Sequence, residues 1–141
     1  MNWLPDINIW LGLTFSGHPH HRAALAWFEG VEADSCAFCR MTQQGFLRLV
    51  SNPAVFKGDT LSMTAAWEAY ETMCRDERVG FAAEPSGIET DWRSWTSSGA
   101  FSPKLWNDAY LAAMAKGSGL RLVSFDRGFV QFPGLDWLHL E

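Results

Sequence analysis

Short apolar runs separated by polar or glycine-containing turns set the rhythm of this chain. Residues 3–15 (WLPDINIWLGLTF) are almost wholly apolar, interrupted only by Pro5, Asp6 and a few small polar residues. This predicts a short N-terminal strand that ends on an acid and turns into a helix. Gly17-His18-Pro19 breaks the chain. From His20 to Phe28 the apolar positions Ala24, Leu25, Trp27 and Phe28 fall on or near one helical face, with Gly30 placed to end it. Ser35 to Cys39 is short, apolar and flanked by charge, the mark of a second strand. Met41 to Leu49 reads as a helix capped by Thr42, with Phe46, Leu47 and Val50 inward and Ser51-Asn52-Pro53 as its stop.

The second half repeats the alternation. Thr60 or Ser62 caps a long helix to about Arg75, with Ala65, Ala66, Ala69 and Met73 inward. Val79 to Ala83 is a third strand, and residues 87–97 form a helix carrying Trp92 and Trp95. Pro103 opens a helix over 104–116 (KLWNDAYLAAMAK), whose alanines imply close packing and which Gly117 and Gly119 close. Leu120 to Phe125 is a continuous apolar run after glycine, as expected of a strand buried on both faces. Asp126 follows it, and Trp137 to Leu140 is the last strand. Alternating strands and helices specify an α/β fold with a mainly parallel sheet of roughly five strands. At 141 residues the chain fits a single domain spanning 1–141.

Charge and composition narrow the chemistry. With 16 acidic and 11 basic residues the formal net charge is −5, so the chain is not a broadly basic nucleic-acid binder. Any nucleic-acid groove must be local, built from arginines such as Arg40, Arg48 and Arg127; for Arg48, pairing with an acid is the favoured alternative. No apolar run approaches the roughly 20 residues of a membrane helix, and no basic stretch precedes an apolar block at the N-terminus. A soluble, cytoplasmic protein is expected. Cys36, Cys39 and Cys74 make an odd set without a second metal-ligand pair, and are read as buried or free thiols. His18, His20 and His21 fit a solvated loop and first helical turn better than a metal site.

Two aspartates stand where parallel strands end: Asp6 after the first and Asp126 after the fourth. Asp108 lies on a helix among alanines and apolar residues. Ionised carboxylates are costly to bury unless paired or metal-bound. If the helix bearing Asp108 crosses the carboxyl edge of the sheet, three acids meet, and hard oxygen ligands favour Mg²⁺ or Mn²⁺. The same residues have plainer readings. Asp6 can cap a helix, Asp108 can face solvent at a helix N-terminus, and Asp126 can open a turn with Arg127 and Gly128.

The segments LPDINIWLGL, TQQGFLRLVSNP, WNDAYLAAMA and LVSFDRGF, in this order and spacing, resemble the VapC-type PIN-domain toxins over essentially the whole chain. The resemblance implies a three-layer α/β/α sandwich and a Mg²⁺-dependent endoribonuclease, the toxin of a type II toxin–antitoxin pair. It also implies homodimerisation and inhibition by a VapB-type antitoxin. Asp6 and Asp108 match the family's first and second metal-binding aspartates. Asp126 matches the further acid after the fourth strand, and Ser124 the small hydroxyl residue before it. The family's usual glutamate on the helix after the second strand is missing, its place falling close to Gly45. Thr42, Gln43 or Gln44 is then a candidate to orient a metal-bound water, Asn8 to orient its neighbours, and Arg127 to contact phosphate. The missing acid and the negative net charge also suit a different reading, a catalytically weak PIN-like module that binds RNA or protein. Several of the eight tryptophans, among them Trp67, Trp92, Trp95 and Trp106, are candidates for an interface.

Overall fold

The computed structural model describes residues 1–141. Its elements run β1 (Trp3–Pro5), α1 (Ile7–Thr14), α2 (His21–Glu29), β2 (Cys36–Phe38), α3 (Arg40–Val50), α4 (Met63–Cys74), β3 (Val79–Phe81), α5 (Ile88–Thr96), α6 (Leu105–Ser118), β4 (Arg121–Ser124), a 3₁₀ turn (Arg127–Gln131) and β5 (Trp137–His139). All strand pairings are parallel and the order is β3-β2-β1-β4-β5. The expected sheet is therefore present, and it is wholly rather than mainly parallel.

Alternation along the short strands sends successive side chains to opposite layers. Cys36 and Phe38 join Trp10, Phe28, Phe46, Val50 and Ala66 under α1 to α4. Ala37 and Cys39 join Leu4, Leu122 and the alanine-rich face of α6 on the other side. The two cores make an α/β/α sandwich. The alanines at 109, 112, 113 and 115 are all buried, so α6 lies close on the sheet, as their density in the sequence predicts. Gly119 adopts φ 67° to end α6, a conformation that costs glycine little. Gly117 lies within the helix and does not close it.

Two features of this architecture position a site. The chain builds β1, β2 and β3 outward in one direction and then returns to place β4 and β5 on the other side of β1. The order thus reverses between β1 and β4, and crevices for ligands open at the carboxyl ends of strands where such a reversal occurs. Pro5 sharpens the asymmetry. It has no N–H to donate, and β1 pairs with β2 only at Trp3↔Cys36, whereas β1 and β4 pair at three successive positions, ending Pro5↔Val123. Asp6 continues that seam, its backbone N–H donating to the Val123 carbonyl at 2.9 Å.

Helix boundaries differ from expectation in an instructive way. α3 begins at Arg40 and its cap is Cys39, not Thr42. Thr42 sits three residues in, where its Oγ1 accepts the Cys39 backbone N–H at 3.0 Å and donates to the Cys39 carbonyl at 3.1 Å. A buried hydroxyl there satisfies the strand-to-helix turn from inside. The three thiols are free, with Cys36 and Cys39 buried in opposite layers. No helix is long and apolar enough to cross a membrane.

Candidate active site

Asp6 leaves β1 on extended backbone and caps α1, its Oδ1 accepting the Ile7 N–H at 2.7 Å. The plainer reading of this residue is thus realised, yet it uses only one carboxylate oxygen. The other, Oδ2, accepts the Ser124 hydroxyl at 2.7 Å. Ser124 ends β4 with no exposed surface, and its Oγ in turn accepts the Asn8 side-chain amide at 3.1 Å and the Asp126 backbone N–H at 2.9 Å. One hydroxyl therefore ties the ends of β1 and β4 and the first turn of α1. Buried polar chains of this kind hold their members in one geometry when every member is paired.

Asp126, two residues past β4, also opens the expected turn: its Oδ1 accepts the Gly128 N–H at 2.8 Å. Its Oδ2 accepts from the Lys104 ammonium at 2.6 Å. Asp108 comes from the first turn of α6, where the helix dipole favours a negative charge. It is half-buried, and with Asp126, Lys104, Ser102, Gly128 and Gln131 it lines a cleft of about 250 Å³.

The electrostatics connect these groups. Burial pushes the Asp6 carboxyl above its usual range against the hydrogen bonds from Ser124 and Ile7, and the Asp126 charge pushes it further. Asp108 is raised to about 6, first by burial and then by the charges of Asp6 and Asp126, with Lys104 opposing. Asp126 is held below its usual value, mainly by Lys104 and by the Gly128 N–H. The three acids feel one another, two of them resist ionising, and one ammonium offsets all three.

That pattern suits a divalent cation in charge and donor chemistry. Burial, reinforced by the neighbouring negative charges, raises two of the carboxyls above their usual range, and the donors are hard oxygens. It is not a closed ligand shell, because no three His, Cys, Asp or Glu side chains stand close enough to hold an ion as they are. Lys104 supplies the positive charge instead.

The other sequence candidates separate cleanly. Asn8 and Ser124 belong to the network. Thr42 is consumed in the cap of α3, and Gln44 is exposed without a hydrogen-bond partner. Arg127 is 80% exposed and reaches Glu141 at 3.8 Å rather than the cleft. Arg40 lies across Phe81 with its guanidinium 4.9 Å from the ring centroid, and its Nη1 donates to the Gln43 side chain. Arg48 makes no ion pair, against the expectation of a pairing. His20 stacks on Phe125 at 4.2 Å, which brings the histidine loop beside the β4 end without forming a metal site. Trp67 and Trp106 remain about half exposed, whereas Trp92 and Trp95 pack against the α6 layer.

Sequence reasoning missed Lys104. Its signal was a lysine four residues before Asp108 on one helix, a spacing that places the two on one face. The absence of an acid near Gly45, where the resemblance leads one to expect a glutamate close by, has a structural counterpart: a Cβ added at Gly45 lies 2.2 Å from Ile7 Cδ1. The side chain next to Asp6 thus fills the space through which a longer side chain at 45 must pass.

Comparison with known proteins agrees with this architecture. The PIN domain family profile matches residues 4–135. Ribonuclease VapC41 of Mycobacterium tuberculosis is 44% identical over 138 residues, covering 94% of each chain, and Ribonuclease VapC44 of the same organism is 31% identical over 99% of this chain and 98% of that one. The crystal structure of Mycobacterium tuberculosis VapC20, a sarcin-ricin loop cleaving toxin, superposes with a TM-score of 0.68 at 16% identity, over 95% of this chain and 96% of that one. At that identity the likeness concerns the fold. The profile and the two relatives, which span nearly the whole sequence, establish that this chain belongs to the PIN-domain family, in its VapC group.

Proposed function

We propose that this protein is an endoribonuclease, the toxin of a VapBC-type toxin–antitoxin pair, hydrolysing RNA phosphodiester bonds at the cleft beside Asp108 and Asp126. The observation that supports the reading is geometric: Asp6 Oδ2 and the Asp126 backbone N–H meet on the one Ser124 hydroxyl where the sheet order reverses, and Asp108 lines the same cleft as Asp126.

Asp6, Asp108 and Asp126 are the groups that would hold a divalent ion, with magnesium favoured and manganese a substitute. Such an ion, when bound, lowers the pKa of a coordinated water and neutralises charge at the phosphate. The chain's own contribution is positioning. Ser124 donates to Asp6 Oδ2 and so fixes which way that carboxylate faces. Asn8 holds Ser124 from the first turn of α1, and the Gly128 N–H fixes Asp126 Oδ1. The dipole of α6 supports the ionised form of Asp108. One chain of the VapBC-1 structure from nontypeable Haemophilus influenzae shares this fold, at a TM-score of 0.71 and 14% identity over 99% of this chain and 98% of that one. By analogy the partners of this chain are a VapB-type antitoxin and a second copy of itself.

The test is cleavage of total RNA by the purified protein with and without Mg²⁺. The native chain should cut only with the metal, and Asp108→Asn should lose cutting while keeping its circular dichroism spectrum. Undiminished cleavage by Asp108→Asn overturns the assignment. Binding of RNA without any cleavage, with or without metal, favours instead a PIN-like binding module, the reading that the absent glutamate at Gly45 supports.

A further inference from the structure

Lys104 is in an unusual place for a lysine. It occupies the N-cap of α6, makes no side-chain cap, and brings a positive charge to the positive end of a 14-residue helix. The helix dipole disfavours a cation there, and the backbone gains nothing from it. What the position does supply is reach. Lys104 Nζ lies 2.6 Å from Asp126 Oδ2, and its charge acts on Asp6 and Asp108 as well. Its side chain is 67% exposed whereas that of Asp126 is 27% exposed, so the lysine approaches the acids from solvent and can leave the same way.

We propose that Lys104 is an internal counter-cation, occupying by its ammonium the place of charge that a divalent ion takes, so that metal binding at Asp6, Asp108 and Asp126 must displace it. The proposal rests on the metal-site reading above and adds a regulator to it. A single-point ammonium contact is easily exchanged, because Lys presents one compact charge on a flexible stem. Three carboxylates without a counter-charge repel one another; with Lys104 in place the site stays assembled before metal arrives. The same contact lowers the apparent affinity for metal, since ion and ammonium compete for Asp126. Lys104 therefore acts through the carboxylates, as a positioning residue.

Titration of metal-free protein with Mn²⁺ alone, followed by calorimetry and by the Mn²⁺ paramagnetic resonance signal, tests this at fixed pH. Lys104→Met and Lys104→Gln should each bind Mn²⁺ about 3- to 10-fold more tightly than the native chain, the order expected for removing one nearby like charge at a partly solvated site. Lys104→Arg, which keeps the charge, should stay near the native value. The rise in Tm produced by a fixed Mn²⁺ concentration should grow in Lys104→Met in step with the affinity. Equal or weaker Mn²⁺ binding by both neutral variants overturns the counter-cation role while leaving the metal site intact. A native chain that binds Mn²⁺ no better than Asp108→Asn removes the metal site itself, and with it the proposal; the two failures are told apart by that control.

Discussion

The two ends of the sheet handle their aspartates in opposite ways. At the amino end, just before β3, Asp76 is fully engaged by Arg78, whose Nε and Nη2 donate to its two oxygens at 2.9 and 2.7 Å. The same guanidinium donates to the Phe28 carbonyl at 3.2 Å and lies 3.9 Å from the Phe28 ring centroid. This pair fastens β3 to the end of α2, and it holds the Asp76 carboxyl down at about 2. At the carboxyl end, three acids share one lysine that touches only one of them, and two of the three are pushed up. A forked, planar cation that satisfies its carboxylate on two sides builds structure. A surplus of negative charge around one removable ammonium costs stability, and folds keep such strained sites where function needs them. The difference marks which aspartates hold the fold and which are available to a ligand.

The largest expected effects fall at the carboxyl end and on activity. Asp6→Asn and Asp108→Asn should each lower RNA cleavage by about 10²- to 10³-fold, the scale of losing one preorganised electrostatic group at a reacting centre. Asp108→Asn should not lower the Tm of the metal-free protein, because it removes a carboxyl that burial disfavours in its charged form, whereas Asp6→Asn also loses one of two accepted hydrogen bonds and should cost some stability. At the amino end the outcome should invert. Arg78→Met should cost about 2 kcal/mol, the worth of charge-assisted hydrogen bonds in a partly buried setting, with cleavage per folded molecule unchanged. Urea unfolding alongside a cleavage assay reads both quantities. An Arg78→Met protein that is native in stability, or an Asp108→Asn protein that unfolds readily, would erase the distinction between the two ends.

A smaller effect probes how the carboxyl end is shaped from behind. Gly45→Ala adds a methyl group that meets Ile7 Cδ1 at 2.2 Å and Cγ1 at 3.1 Å. Alanine in place of glycine within a helix is worth about 1 kcal/mol, and crowding a packed contact costs about 1–3 kcal/mol. The net expectation is a loss of about 1 kcal/mol, which the second substitution Ile7→Val should reduce. A double-mutant cycle on Tm and urea midpoints measures that coupling; independent effects would mean that Ile7 turns aside freely, and that the space behind Asp6 is open to a longer side chain after all.

Much of this was readable in the chain, for physical reasons that differ by residue. The strand over Leu120 to Phe125 announces itself because a strand buried on both faces must be apolar throughout, and the alanines of α6 because close helix–sheet packing admits little else. The adjacency of Asp6 and Asp126 is of another kind. It depends on β4 returning to pair with β1, a contact between residues more than a hundred positions apart, and local periodicity carries no trace of it; the family motifs supplied it. Lys104 went unread because an exposed lysine before a helix is ordinarily solvated, and only its spacing from Asp108 hinted otherwise. Thr42 was placed one turn too early in α3 because a cysteine is a poor side-chain cap, so the residue at 39 looked like strand. The role of Ile7 in filling the space at Gly45 lies in the packing of α1 on α3, which no pattern along one segment encodes.

The smallest effect separates the two ends most directly, since one variable acts on them with opposite sign. Asp76 has a folded pKa of about 2, below its ordinary value of 3.8, so its contribution to stability is present above that ordinary value and is lost as pH falls through about 2. Asp108 has a folded pKa of about 6, above the same reference, so in metal-free protein its contribution is full below that reference and is lost as pH rises through about 6. Acid therefore loosens the amino end and relaxes the carboxyl end. Between pH 4 and pH 6.5 the metal-free native chain should lose stability at this site, and Asp108→Asn should flatten that slope; below pH 3.5, Asp76→Asn should flatten the acid limb instead. Both groups border solvent, which limits the amplitude, so the comparison belongs to differences between variants measured in one buffer series. Cleavage should follow Asp108 in the reverse sense, rising with pH as the carboxylate becomes available to a metal, with a midpoint below that of the metal-free protein because a bound cation favours the ionised form. A native slope between pH 4 and 6.5 that Asp108→Asn leaves unchanged would show that the strain at the carboxyl end is carried by Asp6 alone, and that Lys104 already neutralises its helix neighbour.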